Sequence, residues 1–571
     1  MVECAPVEVD FLNAAAVCVT QAKLFAREFA HSMTPSRALS NAQIARAALI
    51  VLFGFVASGV LGLVRTAIIN AAFGAGDALD AFVWAQRLPE LIFVLVAGGA
   101  LGSSFIPVYA RLRERDDAEE SAWRLASAVM TLSALAAGVL SLLVVLLAPL
   151  IVTTVLAPAA APEVQHLTAA LMRIMMVTPF IFSISGLLMG ILQAHQLFLL
   201  PSIAISMNNI GLMIGALVIA RMLPPGSGVA QVGDSNVYGL AYGAALSALL
   251  HLLVQLPGLR QVKARLRLRL DWRIPGVAEV MRLMGPRVLG LAVVQINFVV
   301  NAMFTSGMIS GSAAALVTAF TLMFFALGII GQSLGSAVFP SLAAMAAAED
   351  FDGFKDRLAS ALRSVLFLSF PAMIALILLG VPLVTVLYQR NEWTAEHSQA
   401  AAWALAFYAI GMAGFALLEV LSRAFYALSD TWTPVKVGTA AMISNIVLSI
   451  IFIEFIGDWH SLAHGPFAGL ALANALTTNI EALALWLLLR RRIGPIHDRA
   501  VLTSAGKALI AALAMGLVLW FIEAALAESG ALVTLLAGGV IGGAVFFGLS
   551  LLLRLEEATA VPNMLLRRLR R

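Results

Sequence analysis

Charge is what this sequence has least of. Of 571 residues, 12% are Asp, Glu, Lys or Arg and 61% are hydrophobic, and the mean hydropathy is +0.95. A soluble domain is about a quarter charged and near half apolar. Soluble folds are therefore excluded, and a polytopic membrane protein remains. Cysteine is nearly absent too. Cys4 and Cys18 are the two, both in the first twenty residues, which rules out a disulfide framework or a cysteine metal site in the apolar part. His460 and His464 are four apart, but in DWHSLAHG, a loop with no helix to align them, so they read as solvated rather than metal-ligating. There is no G-x-x-x-x-G-K-[ST] phosphate loop, which argues against an ATP-hydrolysing pump. Period-2 alternation is missing, which argues against a β-barrel. No Ser/His/Asp set or carboxylate pair stands out, so movement of a substrate is expected rather than catalysis, with no cofactor. The net charge of +4 says little alone, but the basic pI of about 9.3 suggests anionic headgroups at the cytoplasmic face and not nucleic acid.

What is there is a series of long apolar runs. A helix crossing about 30 Å of hydrocarbon needs about 20 residues. Fourteen runs qualify: 46–74, 80–110, 122–155, 163–193, 198–221, 236–257, 281–307, 312–345, 358–389, 396–427, 433–457, 465–489, 502–526 and 531–553. Basic residues cluster after even-numbered runs. Arg111, Arg113 and Arg115 follow the second, and Arg260, Lys263, Arg265, Arg267, Arg269 and Arg273 the sixth. Lys355 and Arg357 follow the eighth, Arg490, Arg491, Arg492 and Arg499 the twelfth, and the chain ends LLRRLRR. The alternate loops, such as GAGDAL and APAAAPEVQ, are nearly free of Lys and Arg. The positive-inside rule places both termini in the cytoplasm.

The runs repeat. GSSFIPVYARL (102–112) matches GSAVFPSLAAM (335–345), and GLAYGAALSALL (239–250) matches GLALANALTTNI (469–480), at offsets of 233 and 230. Two copies of a six-helix unit are expected, with the same orientation, as in transporters that hold substrate between two lobes. The expected fold is all-α, with 14 transmembrane helices in two six-helix repeat lobes plus two extra C-terminal helices. The expected parts are a cytoplasmic N-terminal extension (1–42), a first lobe (43–257), a basic linker (258–278), a second lobe (279–492), an added helix pair (499–554) and a basic tail (555–571). Within the extension, LNAAAVCVTQAKLFAREFAHSM reads either as an interfacial helix or as residues upstream of a start at Met33.

Against this background, GLVRTAIINAAFGAGDALDAFVWAQRLPE (62–90) carries charges inside the spans. Arg65 lies nine residues before Gly74, about 14 Å below the turn at helical rise, and Arg87 ten after Asp77, about 15 Å below it. The two arginines should share a depth near mid-membrane. Asp80 sits higher, and Glu90 shares a face with Arg87 at i, i+3. A guanidinium there costs at least about 2.5 kcal/mol, so it faces a partner or a wet cavity. A structural network, Arg87 with Glu90 and Arg65 with a carboxylate or carbonyl, is one reading. A cationic patch awaiting an anion is the other, since guanidinium forks suit phosphate oxygens. From 288 to 348 there is no charge, so the second lobe offers polar groups only: Gln295, Asn297, Asn301, Thr318, Thr321 and Gln332. Asn209 and Asn445 take comparable places in the fifth and eleventh runs.

SGVLGLVRTAIINAAFGAGDALDAFVWAQRLPE and GALGSSFIPVYARL closely resemble the opening of the MurJ (MviN) family, lipid II flippases of the MOP superfamily. MGPRVLGLAVVQINFVVNAMF, FPAMIALILLGVPLVTVLYQRNEWT and LSRAFYALSDTWTPVK resemble its later helices. The resemblance implies a V-shaped pair of lobes around a cationic cavity, a groove for the lipid tail at the last two helices, and alternating access. It implies a bacterial inner-membrane protein in peptidoglycan biosynthesis, with lipid II as substrate, membrane lipids around it and cell-wall synthesis proteins as partners. Arg65, Asp80 and Arg87 fall on family positions. Gly59, Thr66, Phe93, Val94, Thr321 and Phe324 stand where family members often carry charge. The candidate substrate-contacting set is Arg65, Arg87, Asp80, Glu90, Asn209, Gln295, Asn301 and Thr321. Two other functions are open: a relative with different cargo (another lipid-linked glycan, or a drug/ion antiporter using Glu419 or Glu481), and a transport-inactive paralogue.

Overall fold

The computed structural model describes residues 41–96, 100–113 and 119–559. The chain divides into a unit ending at Leu52 and a second, Phe53–Arg571, to which the following refers. The N-terminal extension up to residue 40, with both cysteines, and the tail from residue 560 lie outside the described residues.

The described chain is helical apart from one short hairpin, in which Gln231 pairs with Asn236 and Val232 with Ser235. Helices are what lipid demands, because a helix satisfies its own backbone. Among the described residues, eleven helices are long and apolar enough to cross a membrane, or thirteen when two bent pairs count as one span each. The expectation was fourteen. The run not counted is 80–110, whose described parts are Asp77–Val96, which carries Asp77, Asp80, Arg87 and Glu90, and Ala100–Arg113. The run 358–389 is also two helices, Phe351–Leu378 and Gly380–Tyr388. Three spans widen to π-helix, at Val152–Leu156, Gly215–Ile219 and Gly328–Gln332; the first follows Pro149, which cannot donate to the ladder.

Small residues set the closest approaches. Ala395–Ile410 and Met412–Ala427 meet at a 49° bend at Gly411, where a Cβ would lie 2.8 Å from the Cα of Ala475. Leu199–Ile214 lies so close to Tyr238–Leu253 that a Cβ on Gly211 would be 2.3 Å from the Cα of Ser247.

The two halves pack alike. Asp77–Val96 rests on Pro162–Met175 as Ser312–Leu327 rests on Ala395–Ile410. Leu199–Ile214 pairs with Tyr238–Leu253 as Trp432–Phe455 pairs with Phe467–Ile493. The last hairpin, Asp498–Ala525 and Ala531–Leu552, packs on Phe351–Leu378, with the rings of Phe367 and Phe546 5.0 Å apart. Elsewhere the apolar surface faces outward: Leu142, Leu146 and Leu150 line one exposed stripe at helical spacing, as a lipid-facing helix requires. Asp77–Val96 also packs against Val277–Thr305 and Ser312–Leu327, and this contact between the halves positions the charged residues.

Candidate functional site

Arg65 and Arg87 flank the Phe73–Asp77 turn at equal helical distance, and one carboxylate serves both. Glu90 Oε2 lies 3.2 Å from Arg87 Nη1, one turn along the same helix. Glu90 is also the carboxylate whose field acts on Arg65, together with the Tyr388 hydroxyl. The Arg87 side chain is 11% exposed and that of Glu90 36%, so the pair is covered on the cation side and open on the carboxylate side. Arg65 is half-buried and makes no hydrogen bond or ion pair with any described residue. Two guanidiniums share one carboxylate, and Arg65 is the cation left over.

The uncharged half answers with rings. The Arg87 guanidinium carbon lies 5.2 Å from the Phe298 ring centre. Such a contact contributes about 0.5–2 kcal/mol. Phe298 packs edge-on to Phe320, and Phe320 on Tyr408, each at 5.5 Å. Tyr388 is fully buried, and its hydroxyl has no partner among the described residues. Sequence reasoning missed Phe298, Tyr388 and Tyr408, because an aromatic residue in an apolar run carries no signal that a cation faces it.

Asp80 has a different place from the arginines. It is 1% exposed, and its two carboxylate oxygens accept from Gly311 N–H and Ala314 N–H, each at 2.8 Å. These amides open the Ser312–Leu327 helix, where the N-terminal dipole favours an anion. With both oxygens used internally, Asp80 is a clasp between the halves in this conformation. The same end is tied by Trp84 Nε1–H to Thr305 Oγ1 (3.1 Å), Asn70 Nδ2–H to Thr318 Oγ1 (3.2 Å) and Glu392 N–H to the Ala71 carbonyl (3.2 Å). The molecule is closed there.

The other candidates divide. Asn209 is buried and donates to the Ser58 carbonyl (3.1 Å), which ties two helices together, and Thr321 donates to the Val317 carbonyl of its own helix (2.8 Å). These bonds are internal in this conformation. The side chains of Gln295 and Asn301 have no partner among the described residues. Glu419 is paired with Arg423 one turn on. Glu481 is half-buried and bonds to no described side chain. Asn297 donates to Asn445 Oδ1 (3.0 Å), and Asn445 in turn to Thr477 (3.4 Å). Positions read as departures are filled by packing: Phe93 lies 5.1 Å from Phe182, and Phe324 stacks on Phe320 at 5.6 Å.

A family model described as lipid II flippase MurJ matches residues 69–541. The chain is 30% identical over 441 residues to a probable lipid II flippase MurJ of Vibrio cholerae, covering 75% of this chain and 79% of that one. It is 30% identical over 451 residues to the lipid II flippase MurJ of Burkholderia cenocepacia, covering 78% and 84%. Among solved structures it is similar to a lipid II flippase MurJ in an inward closed conformation, with a TM-score of 0.71 and 22% identity over 89% of this chain and 99% of that one. It is also similar to an inward-facing multidrug resistance MATE family transporter of the MOP superfamily, with a TM-score of 0.63 and 15% identity over 77% and 96%. These two likenesses speak to the fold.

Proposed function

The chain belongs to the lipid II flippase MurJ family, and from that membership we propose how its geometry is used: it carries lipid II from the inner to the outer leaflet by alternating access, with Arg65 and Arg87 receiving the diphosphate. It is a multi-pass protein of the inner membrane, in a family of transporters rather than enzymes. The headgroup bears phosphates and sugars that cannot cross about 30 Å of hydrocarbon unaided, while the tail never has to leave it. A polar chamber open to the bilayer serves both needs. The lobes are 43–257 and 279–492, both termini are cytoplasmic, and the last hairpin accommodates the tail.

One observation carries this reading: Arg65 sits deep in a span with no ion pair of its own, and Glu90, whose field it shares, is paired with Arg87. A buried guanidinium is costly unless it is paired, and the arriving diphosphate supplies the missing charge. Glu90 holds Arg87 in place meanwhile, and its exposed side lets it swing away from an incoming anion. Gln295 and Asn301 are the polar groups left free for the sugars. The Asp80 clasp keeps the outer end shut while the headgroup loads from the cytoplasm. Proteins that make and consume the lipid are its expected partners.

Complementation tests this. Cells depleted of their own lipid II flippase should grow when they express this chain, and should fail with Arg65→Ala present in the membrane at wild-type level. Arg65→Lys, which keeps the charge but loses the fork, should rescue partially. Failure of the wild-type chain despite good expression would favour another lipid-linked glycan, the cargo to which the ring-filled positions Phe93 and Phe324 point.

A further inference from the structure

Away from the two arginines, where the last hairpin meets the basic loops, lies an open cleft of about 740 Å³. It is walled by Phe351–Leu378, the C-terminal end of Phe467–Ile493, the first turns of Asp498–Ala525 and the segment after Leu552. Its carboxylates are already engaged. Glu556 pairs with Arg363 at 2.9 Å, Glu557 lies 3.3 Å from Arg363 Nε and accepts from Ser504, and Asp498 pairs with Arg490 at 3.2 Å. Three cations remain. The side chains of Arg499 and Arg554 are exposed and make no hydrogen bond or ion pair with a described residue. Lys507 donates to the Leu553 carbonyl at 3.0 Å and has no carboxylate.

We propose that this cleft binds the headgroup of an anionic phospholipid. Five cations against three carboxylates leave the cavity two positive charges in excess, which call for phosphate oxygens, and the surface below calls for acyl chains. Leu502, Ile510, Leu513 and Leu517 descend one exposed side of Asp498–Ala525, with Leu552, 78% exposed, on the neighbouring helix. Leu502 to Leu517 spans about 22 Å at helical rise, more than the ~15 Å depth of one leaflet. A soluble phosphate would use the cations and leave this stripe bare. A phospholipid uses both, and the bound lipid would brace the last hairpin against Phe351–Leu378. The site is independent of Arg65 and Arg87, but it shares the last hairpin with the tail of the transported lipid in the proposed function.

The test is native mass spectrometry of the full chain in neutral detergent with added phosphatidylglycerol or phosphatidylcholine at equal concentration. Phosphatidylglycerol adducts should exceed phosphatidylcholine adducts about tenfold or more. Each basic residue near an anionic lipid contributes about fivefold, so Arg499→Ala/Arg554→Ala should weaken phosphatidylglycerol binding about 25-fold. The lipid-free melting temperature should not change. Arg499→Gln alone should cost about fivefold, which keeps the test informative if the double variant folds poorly. Arg267→Ala/Arg269→Ala on the linker, and Arg65→Ala, should leave the binding intact. Equal retention of the two lipids, or full binding by the arginine variants, would overturn the proposal. So would equal thermal stabilisation by inorganic phosphate, which would mark an anion site, or preferential capture of a polyprenyl pyrophosphate, which would mark a substrate site.

Discussion

Asp80→Ala should open the end of the molecule that Asp80 now clasps. In the closed form the carboxylate accepts two backbone N–H groups at 2.8 Å, at a helix N-terminus and at 1% exposure. Hydrogen bonds to a charged acceptor contribute about 1.5–3 kcal/mol each, so the pair stabilises closure by about 3–6 kcal/mol. Losing even the lower figure shifts the closed-to-open ratio more than a hundredfold. Asp80→Asn keeps one acceptor oxygen and should shift it about half as far in free energy. Spin labels at Ala161→Cys and Glu396→Cys, one on each half at this end, report the opening by pulsed dipolar spectroscopy, with Cys4 and Cys18 replaced. A single short distance is expected in the parent chain, a dominant longer one in Asp80→Ala and a mixture in Asp80→Asn. An unchanged distribution in Asp80→Ala would refute the reasoning, because the carboxylate would then be a passive cap.

Gly211→Ala would place its Cβ 2.3 Å from the Cα of Ser247; it should destabilise the chain by about 1–3 kcal/mol in thermal unfolding, and an unchanged midpoint would mean that the two helices separate freely. Glu481→Gln removes an unpartnered carboxylate from a span and should raise the melting temperature, by a gain of about 1–3 kcal/mol; a fall would show that the ionised group has a partner in use. His195, just beyond a span, is held down to about 4, first by burial and then by Arg113, with Glu119 opposing. Its folded pKa lies below the usual 6.5, so the unfolded chain binds the proton more readily. Stability contributed by the neutral ring is present above about 6.5 and is lost as pH falls towards 4. Melting curves across that range should show the loss, and His195→Phe, which keeps the stack on Trp123, should flatten it.

Much of the fold was legible because lipid imposes a length on every helix. The run 80–110 is harder to count because its described helix Asp77–Val96 carries Asp77, Asp80, Arg87 and Glu90. The Arg87–Glu90 pair was legible because i, i+3 residues are neighbours whatever surrounds them. The role of Asp80 was hidden: its partners are backbone amides 231 and 234 residues away, and a backbone amide leaves no mark in a sequence. Asn209 looked like a site residue for the same reason, since its partner is the Ser58 carbonyl. The absence of charge from 288 to 348 was read as a lopsided site, and in space it is a wall of rings against Arg87.

The most direct measurement is lipid II translocation by the purified chain in proteoliposomes, followed by accessibility of a labelled headgroup at the far leaflet. The wild type should move the lipid, Arg65→Ala should slow it at least tenfold while folding normally, and Arg65→Lys should fall between. Translocation by Arg65→Ala at the wild-type rate would contradict the claim that this unpaired cation waits for the diphosphate.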